Sequence, residues 1–321
     1  MVPRKTVGLV LGSGASRGWA HIGIIEALEE ADVTIDFIAG CSVGAYVGAL
    51  YASGSLGSLK EYLLKMNGKK IFSYSDVVFP RSGLLNGTRR IQTLFAMHTD
   101  IETFADLNIP LVMVATDLER GEKVVINSGK IIDGLRATMS CPGLFAPVLS
   151  KGRWLVDGGL IDPVPVGVAR AMGAEVIIAV DLNNRIVSRS RDLSGSNEKE
   201  KKQSGSRFKS SEETDRRPEL VKKMADYYES AESSFKHKTY ELMRRESATP
   251  DIIETVMTSI GIMQERITRV NLAVDQPDIL IQPRLGELKM MNFDQVEHAI
   301  REGYIGVQEK IEDIKNLLAT S

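Results

Sequence analysis

The chain has 321 residues, 43% hydrophobic and 26% charged, ordinary values that exclude a fibrous or wholly disordered protein. Lys and Arg number 40 and Asp and Glu 42, a net charge of −2 that disfavours dedicated nucleic-acid binding. Only two cysteines occur, Cys41 and Cys141, which excludes a disulfide scaffold and a four-cysteine zinc site.

No charged n-region followed by an apolar segment opens the chain. No apolar stretch reaches the roughly 18 residues of a membrane span. The expectation is a cytoplasmic α/β protein without metal or cofactor.

The first element is a short apolar strand, residues 6–11, of the kind buried on both faces of a parallel sheet. A glycine-rich turn follows, Gly12-Ser13-Gly14-Ala15-Ser16-Arg17-Gly18. A helix fits 21–30, with Ile24, Ile25 and Leu28 at helical spacing. Residues 35–39 read as a second strand, ending at Gly40-Cys41-Ser42-Val43-Gly44, which opens a helix through about Ala52. Residues 111–116 and 175–180 are further buried strands, and 123–126 one arm of a hairpin. Strands alternating with helices imply a mostly parallel sheet with helices on both faces.

Composition changes near Arg189. Between 191 and 218 the only large apolar residues are Leu193 and Phe208, among eight basic and six acidic residues. Such a stretch buries too little surface to offset its ordering entropy, so a flexible insertion is expected. Two helical patterns follow. One carries Leu220, Met224, Tyr227, Tyr228 and Ala231; the other starts at Thr249-Pro250-Asp251 and carries Ile253, Val256, Met257, Ile260, Met263 and Ile267. A last strand is expected at 278–282 and a terminal helix at 294–318. The division is thus a core at 1–188, a charged insertion at 189–218, and a segment at 219–321 whose strand and helix complete the fold.

Gly40-Cys41-Ser42-Val43-Gly44 is a G-x-S-x-G sequence between strand and helix. A sharp turn there projects the Ser42 hydroxyl away from the sheet, and Gly40 and Gly44 keep side chains out of it. The helix N-terminus offers N–H groups and a positive dipole end to a developing oxyanion. The loop at 12–18 is not a dinucleotide fingerprint, because Arg17 stands where the third glycine belongs and Gly18 comes one residue late. Its backbone N–H groups suit an oxyanion better. Arg17 either adds positive charge there or solvates the helix start.

A serine nucleophile needs a base. Of the four histidines, His21 precedes the serine, and His98, His237 and His298 sit in polar or amphipathic segments, none on a Gly-rich loop after a strand. Asp117, Asp157 and Asp181 each end a short apolar run, where α/β sites gather. Asp157 is set apart by the glycines that follow it, Gly158 and Gly159. An aspartate with the ordinary pKa of about 3.9 is a weak base at neutral pH. It must act over a short hydrogen bond in a partly dry site, or have its pKa raised by burial.

Taken together the loop 12–18, Trp19-Ala20-His21-Ile22-Gly23, Ile38-Ala39-Gly40-Cys41-Ser42, Ala115-Thr116-Asp117-Leu118, the run 136–143 and Val156-Asp157-Gly158-Gly159 resemble the bacterial patatin-like phospholipases. Within that family the chain is most similar to the neuropathy-target-esterase-like proteins, over about residues 5–185. The resemblance implies a three-layer patatin-like fold and hydrolysis of lipid acyl esters by a Ser–Asp dyad. Ser42 would be the nucleophile and Asp157 the base, with an oxyanion hole from Gly12, Ser13, Gly14 and Ala15. Arg17, Gly18, Gly40, Gly44, Gly158 and Gly159 would support the motifs. The family's run of four glycines is broken here by Ser13 and Ala15, and positive φ at Ala15 would be strained. A lipid ester substrate implies peripheral contact with a membrane, through apolar side chains such as the face carrying Met257 and Met263. An oligomer stays open, as do two alternatives: a histidine-based α/β-hydrolase, and a patatin-fold binding or regulatory protein.

Overall fold

The structure, a computed structural model, describes residues 4–65, 88–184 and 252–319. The charged insertion, His237 and the helical pattern at 220–231 lie outside them. The chain divides into two compact units, residues 1–193 with 256–321, and residues 194–255.

The centre of the first unit is an eight-stranded mixed sheet. β1 (Val7–Leu11) lies between β2 (Phe37–Cys41) and β7 (Val176–Val180). β3 (Leu111–Asp117) flanks β2, and β8 (Ile279–Ile281) flanks β7, all five parallel. β1, β3 and β7 are buried along their whole length, which is why their sequences are near-continuous apolar runs. β4 (Glu122–Ile126), β5 (Val148–Ser150) and β6 (Arg153–Asp157) pair antiparallel, so the expected parallel character is confined to the run β3-β2-β1-β7-β8, which ends at the β8 edge.

Among the described residues the α-helices in chain order are α1 (Ala20–Glu30), α2 (Val43–Ala52), α3 (Leu56–Lys65), α4 (Thr88–Ala96), α5 (Ile131–Thr138), α6 (Val166–Ala171), α7 (Ile252–Val274), α8 (Val296–Gln308) and α9 (Ile311–Ala319). The terminal helix expected at 294–318 is thus two helices. Alternation along β1 separates the layers. Leu9 and Leu11 join one apolar cluster with α1, α2, α3 and α8, whereas Val10 joins a second with α6 and Leu272 of α7.

α7 turns Met257, Ile260, Gln264 and Thr268 inward at spacings of three and four residues. Val256, Met263, Val270 and Val274 are exposed on another side. Met257 and Met263 therefore do not form the single face expected of them: the first is core, the second surface.

One feature of the sheet sets the site. β3 offers one edge to β4 over Met113 to Asp117. Its other edge is shared: β2 occupies Leu111 to Val114, and β6 takes over from Ala115 to Asp117. β2 runs parallel to β3 and β6 antiparallel, so their C-terminal ends converge. Cys41 pairs with Val114 and Asp157 with the next residue, Ala115. The loops leaving both strands start from this one point.

Candidate active site

Ser42 follows β2 directly and caps α2. Its backbone has φ 54° and ψ −123°, a region L residues rarely occupy and a sign of a conformation imposed by its surroundings. Two contacts impose it. The Ser42 N–H donates to Thr138 Oγ1 at 2.9 Å. α2 also lies so close to β1 that a Cβ on Gly44 would strike the carbonyls of Leu11 and Gly12. Gly40 packs equally closely on Ala45, and Gly18 on the side chain of Val43, which brings the glycine-rich loop against the start of α2.

The Ser42 hydroxyl donates to Asp157 Oδ2 at 2.7 Å. The other carboxylate oxygen, Oδ1, accepts the Gly159 N–H at 2.8 Å. Thr116 Oγ1 donates to the Asp157 carbonyl at 2.9 Å. Gly158 must be glycine because a Cβ would collide with the Val114 carbonyl. Asp157 is buried, and burial lifts its pKa to about 6, opposed by the hydrogen bonds from Ser42 and Gly159. Asp157 thus combines a short hydrogen bond with a raised pKa, either of which would suit a carboxylate to accept a proton.

The loop at 12–18 is not uniform. The Ser13 N–H is already used, donating to the Pro163 carbonyl at 2.9 Å. Ser13 is thereby unavailable as a backbone donor to an oxyanion, contrary to expectation. The N–H groups of Gly14 and Ala15 meet no acceptor among the described residues. Ala15 has φ 50°, the positive value that the loss of a glycine makes costly. The Gly12 carbonyl accepts from His21 Nε2 at 2.8 Å. Burial holds the His21 pKa near 4, so the imidazole is neutral.

Arg17 does not solvate a helix start. It is buried, with Nη1 donating to the Leu182 carbonyl at 3.3 Å, and Nε and Nη2 unpartnered among the described residues. Burial lowers its pKa to about 10, opposed by the carboxylates of Asp181 and Glu265. Even so it stays charged at neutral pH, a fixed positive charge within the glycine-rich loop.

The other candidates take structural parts. Asp117 Oδ1 accepts from the N–H groups of Glu119 and Arg120, closing a turn. Asp181 accepts from the Asn183 N–H and from Gln282. His98 bonds Ser58, and His298 bonds Arg301. None of the three described histidines hydrogen-bonds Ser42. The Cys41 thiol beside Ser42 is fully buried, and burial raises its pKa well above the usual value, so it is inert.

Gln264, Asn183 and Thr138 were not anticipated. Gln264 comes from α7, and its Oε1 accepts from Ser13 Oγ and from Asn183 Nδ2, each at 3.3 Å. Asn183 Nδ2 also reaches the Ser13 carbonyl at 3.2 Å. The Gln264 amide nitrogen lies where a Cβ on Gly159 would be. α7 thus joins the glycine-rich loop to the loop carrying Asp157. It continues to Asn271, whose Nδ2 donates to the Ile161 carbonyl at 3.1 Å. The available signal was a glutamine within an apolar stripe, since a buried amide must find partners.

A family profile, patatin-like phospholipase, matches residues 9–170, half of the chain. An uncharacterized NTE family protein of Mycobacterium tuberculosis is 36% identical over 186 residues, 58% of this chain and 51% of that one. Patatin-like phospholipase domain-containing protein 6 of Homo sapiens is 33% identical over 187 residues, 56% of this chain and 14% of that protein. Lysophospholipase nte1 of Aspergillus fumigatus is 34% identical over 185 residues, 56% and 12% respectively. The matched stretch is about half the length of the mycobacterial relative and a small part of the other two. Among solved structures, VipD from Legionella pneumophila aligns with a TM-score of 0.47 at 14% identity, over 97% of this chain and 67% of that one. With its profile match reaching from β1 into α6 and so spanning both Ser42 and Asp157, the chain belongs to the patatin-like phospholipase family.

Proposed function

We propose that the chain is a serine acyl hydrolase that cleaves carboxylic esters of lipids. The observation that carries this reading is the 2.7 Å hydrogen bond from the Ser42 hydroxyl to a buried carboxylate, Asp157. Ser42 Oγ attacks the ester carbonyl while Asp157 Oδ2 takes its proton. Charge develops on the carbonyl oxygen, and the N–H groups of Gly14 and Ala15 stabilise it, with the Arg17 charge behind them. Collapse of the tetrahedral species expels the alcohol, which receives the proton from Asp157, and leaves an acyl-serine. Water then attacks the acyl group as Asp157 again accepts a proton, and free acid and Ser42 are released.

Similarity to proteins named phospholipase and lysophospholipase makes glycerophospholipids and their lysolipids the substrate classes to assay first. The test is mass-spectrometric detection of free fatty acid from mixed phospholipids and lysophospholipids, with Ser42→Ala and Asp157→Asn alongside. Lipid ester hydrolysis by wild type and its loss in both variants is expected. Undiminished hydrolysis by either variant overturns the dyad.

A further inference from the structure

The antiparallel extension of the sheet ends in an apolar row that faces solvent. Leu149 of β5 pairs with Trp154 of β6, and on the far side of β6 the Leu118 N–H donates to the Trp154 carbonyl at 2.8 Å. The three side chains are thus neighbours across consecutive strands, and they are 59%, 43% and 52% exposed for Leu149, Trp154 and Leu118. One step further along β6, Leu155 and Val156 are buried. The row is therefore the last apolar tier of the sheet, left uncovered.

Its rim carries charge. β5 and β6 are joined by a two-residue turn with Lys151 at φ 48° and Gly152 at φ 76°, the conformation of a tight hairpin. Lys151 and Arg153 are exposed beside it, and the nearest anion to Arg153 is the buried Asp117, 3.9 Å away. On the adjoining turn, Glu119 and Glu122 stand beside Arg120, while Lys123 is held by Asp162 at 2.8 Å. The hairpin tip itself, residues 150–153, carries Lys151 and Arg153 and no acidic side chain. An indole flanked by leucines, with cationic side chains at its edge, fits a bilayer interface, where indole rings settle at headgroup level and Lys and Arg meet anionic phosphates. A second copy of the chain fits poorly, because the edge strand β5 is only three residues long.

We propose that Leu118, Leu149 and Trp154, with Lys151 and Arg153, form the surface that docks the protein on an anionic lipid bilayer. The proposal rests on the reading of the dyad as a lipid ester hydrolase. Trp154 lies three residues before Asp157, about 10 Å along the same strand. The odd spacing puts indole and carboxyl on opposite faces of β6, so the docking row can be altered without touching the dyad.

The test uses the full chain with vesicles of phosphatidylcholine alone or mixed with phosphatidylglycerol. Trp19 is the only other tryptophan and is buried, so Trp154 dominates any vesicle-dependent change in emission. The expected results are a blue shift and quenching by brominated acyl chains on anionic vesicles. Leu149→Ser with Trp154→Ser should reduce vesicle co-flotation at least about tenfold, while hydrolysis of a monomeric nitrophenyl ester stays within about twofold. Should that variant misfold by circular dichroism, Lys151→Glu with Arg153→Glu replaces it, and the same loss is expected. Unchanged Trp emission on vesicles, or flotation that survives both variants, overturns the proposal, as does a row that proves to mediate only self-association. A chain that floats through this row yet cleaves no lipid ester sinks the hydrolase reading alone. A chain that cleaves esters but never floats sinks the docking surface alone.

Discussion

Cys41 and Asp157 face successive residues of one strand, Val114 and Ala115. Ser42, the proposed nucleophile, follows the first of this pair, and the Asp157 carboxylate belongs to the second. Their separation is fixed by the repeat of β3 rather than by the flexible geometry of two loops. Thr138 reinforces it, by accepting the Ser42 N–H and donating to the Val114 carbonyl.

The first prediction concerns the two ends of the 2.7 Å bond. Ser42→Ala should abolish turnover without unfolding the protein. Asp157→Asn should lower kcat by about 10²–10⁴-fold, the usual worth of a positioned general base. Asp117→Asn, which only weakens a turn, should retain most activity. Steady-state kinetics on a short-chain nitrophenyl ester, with circular dichroism as the folding control, separates these outcomes.

The second prediction is a pH profile. Asp157 must be unprotonated to accept the serine proton, so activity falls as pH drops through its pKa. With that pKa at about 6, the acid limb lies where an ordinary histidine would put it. The profile alone therefore misleads, and the variants decide. Substituting His21, His98, His237 and His298 in turn should leave the limb in place, whereas a limb that vanishes with any of them would identify a different base.

Stability supplies a third prediction. The folded pKa of Asp157, about 6, lies above the unfolded value of 3.8. The native state thus binds the proton more tightly. Stability is highest below pH 3.8 as far as this group is concerned, and it is lost as pH rises through 6. The shift is worth on the order of 3 kcal/mol at neutral pH. Asp157→Asn removes that cost, so its denaturation midpoint at pH 8 should exceed that of wild type, and the gap should narrow toward pH 4. A variant equally or less stable at pH 8 would show that the buried carboxylate carries no such strain.

A fourth prediction addresses α7. Ser13→Gly restores the family's glycine and deletes the hydroxyl that Gln264 accepts. Gln264→Leu deletes the amide from the other side. If the two side chains act as a unit, a double-mutant cycle in ester kcat should show a coupling of about 0.5–3 kcal/mol. KM for a monomeric ester should move less than kcat, because the clamp touches the catalytic loops. Strict additivity would reduce Gln264 to helix packing.

Much of this arrangement was legible in the sequence because it rests on local rules. Val7–Leu11 and Val176–Val180 are strands buried on both faces, and such strands announce themselves as apolar runs. Ser42 and Asp157 were legible because flanking glycines mark turns where backbones nearly touch. β6 was obscured by its mixed burial, Arg153 and Trp154 exposed and the next three residues buried, which gives neither alternation nor a long apolar run. The break between α8 and α9 was hidden because the apolar periodicity continues across it. The exclusion of Ser13 from the backbone donors depends on Pro163, 150 positions away, and Gln264 lies 251 from its partner. No local pattern encodes a hydrogen bond across that distance.

Because α7 and β8 come from the far end of the chain, the order of synthesis matters. A nascent chain that has emerged as far as β7 already contains Ser42 and Asp157. It still lacks the glutamine that lies over Gly159 and the strand that covers β7. Until those residues arrive, β7 is a fully apolar edge with unpaired backbone groups, a site for mispairing with other chains. The sheet is thus complete only once β8 has emerged, and a chain stopped after β7 would hold every family motif yet leave that apolar edge open.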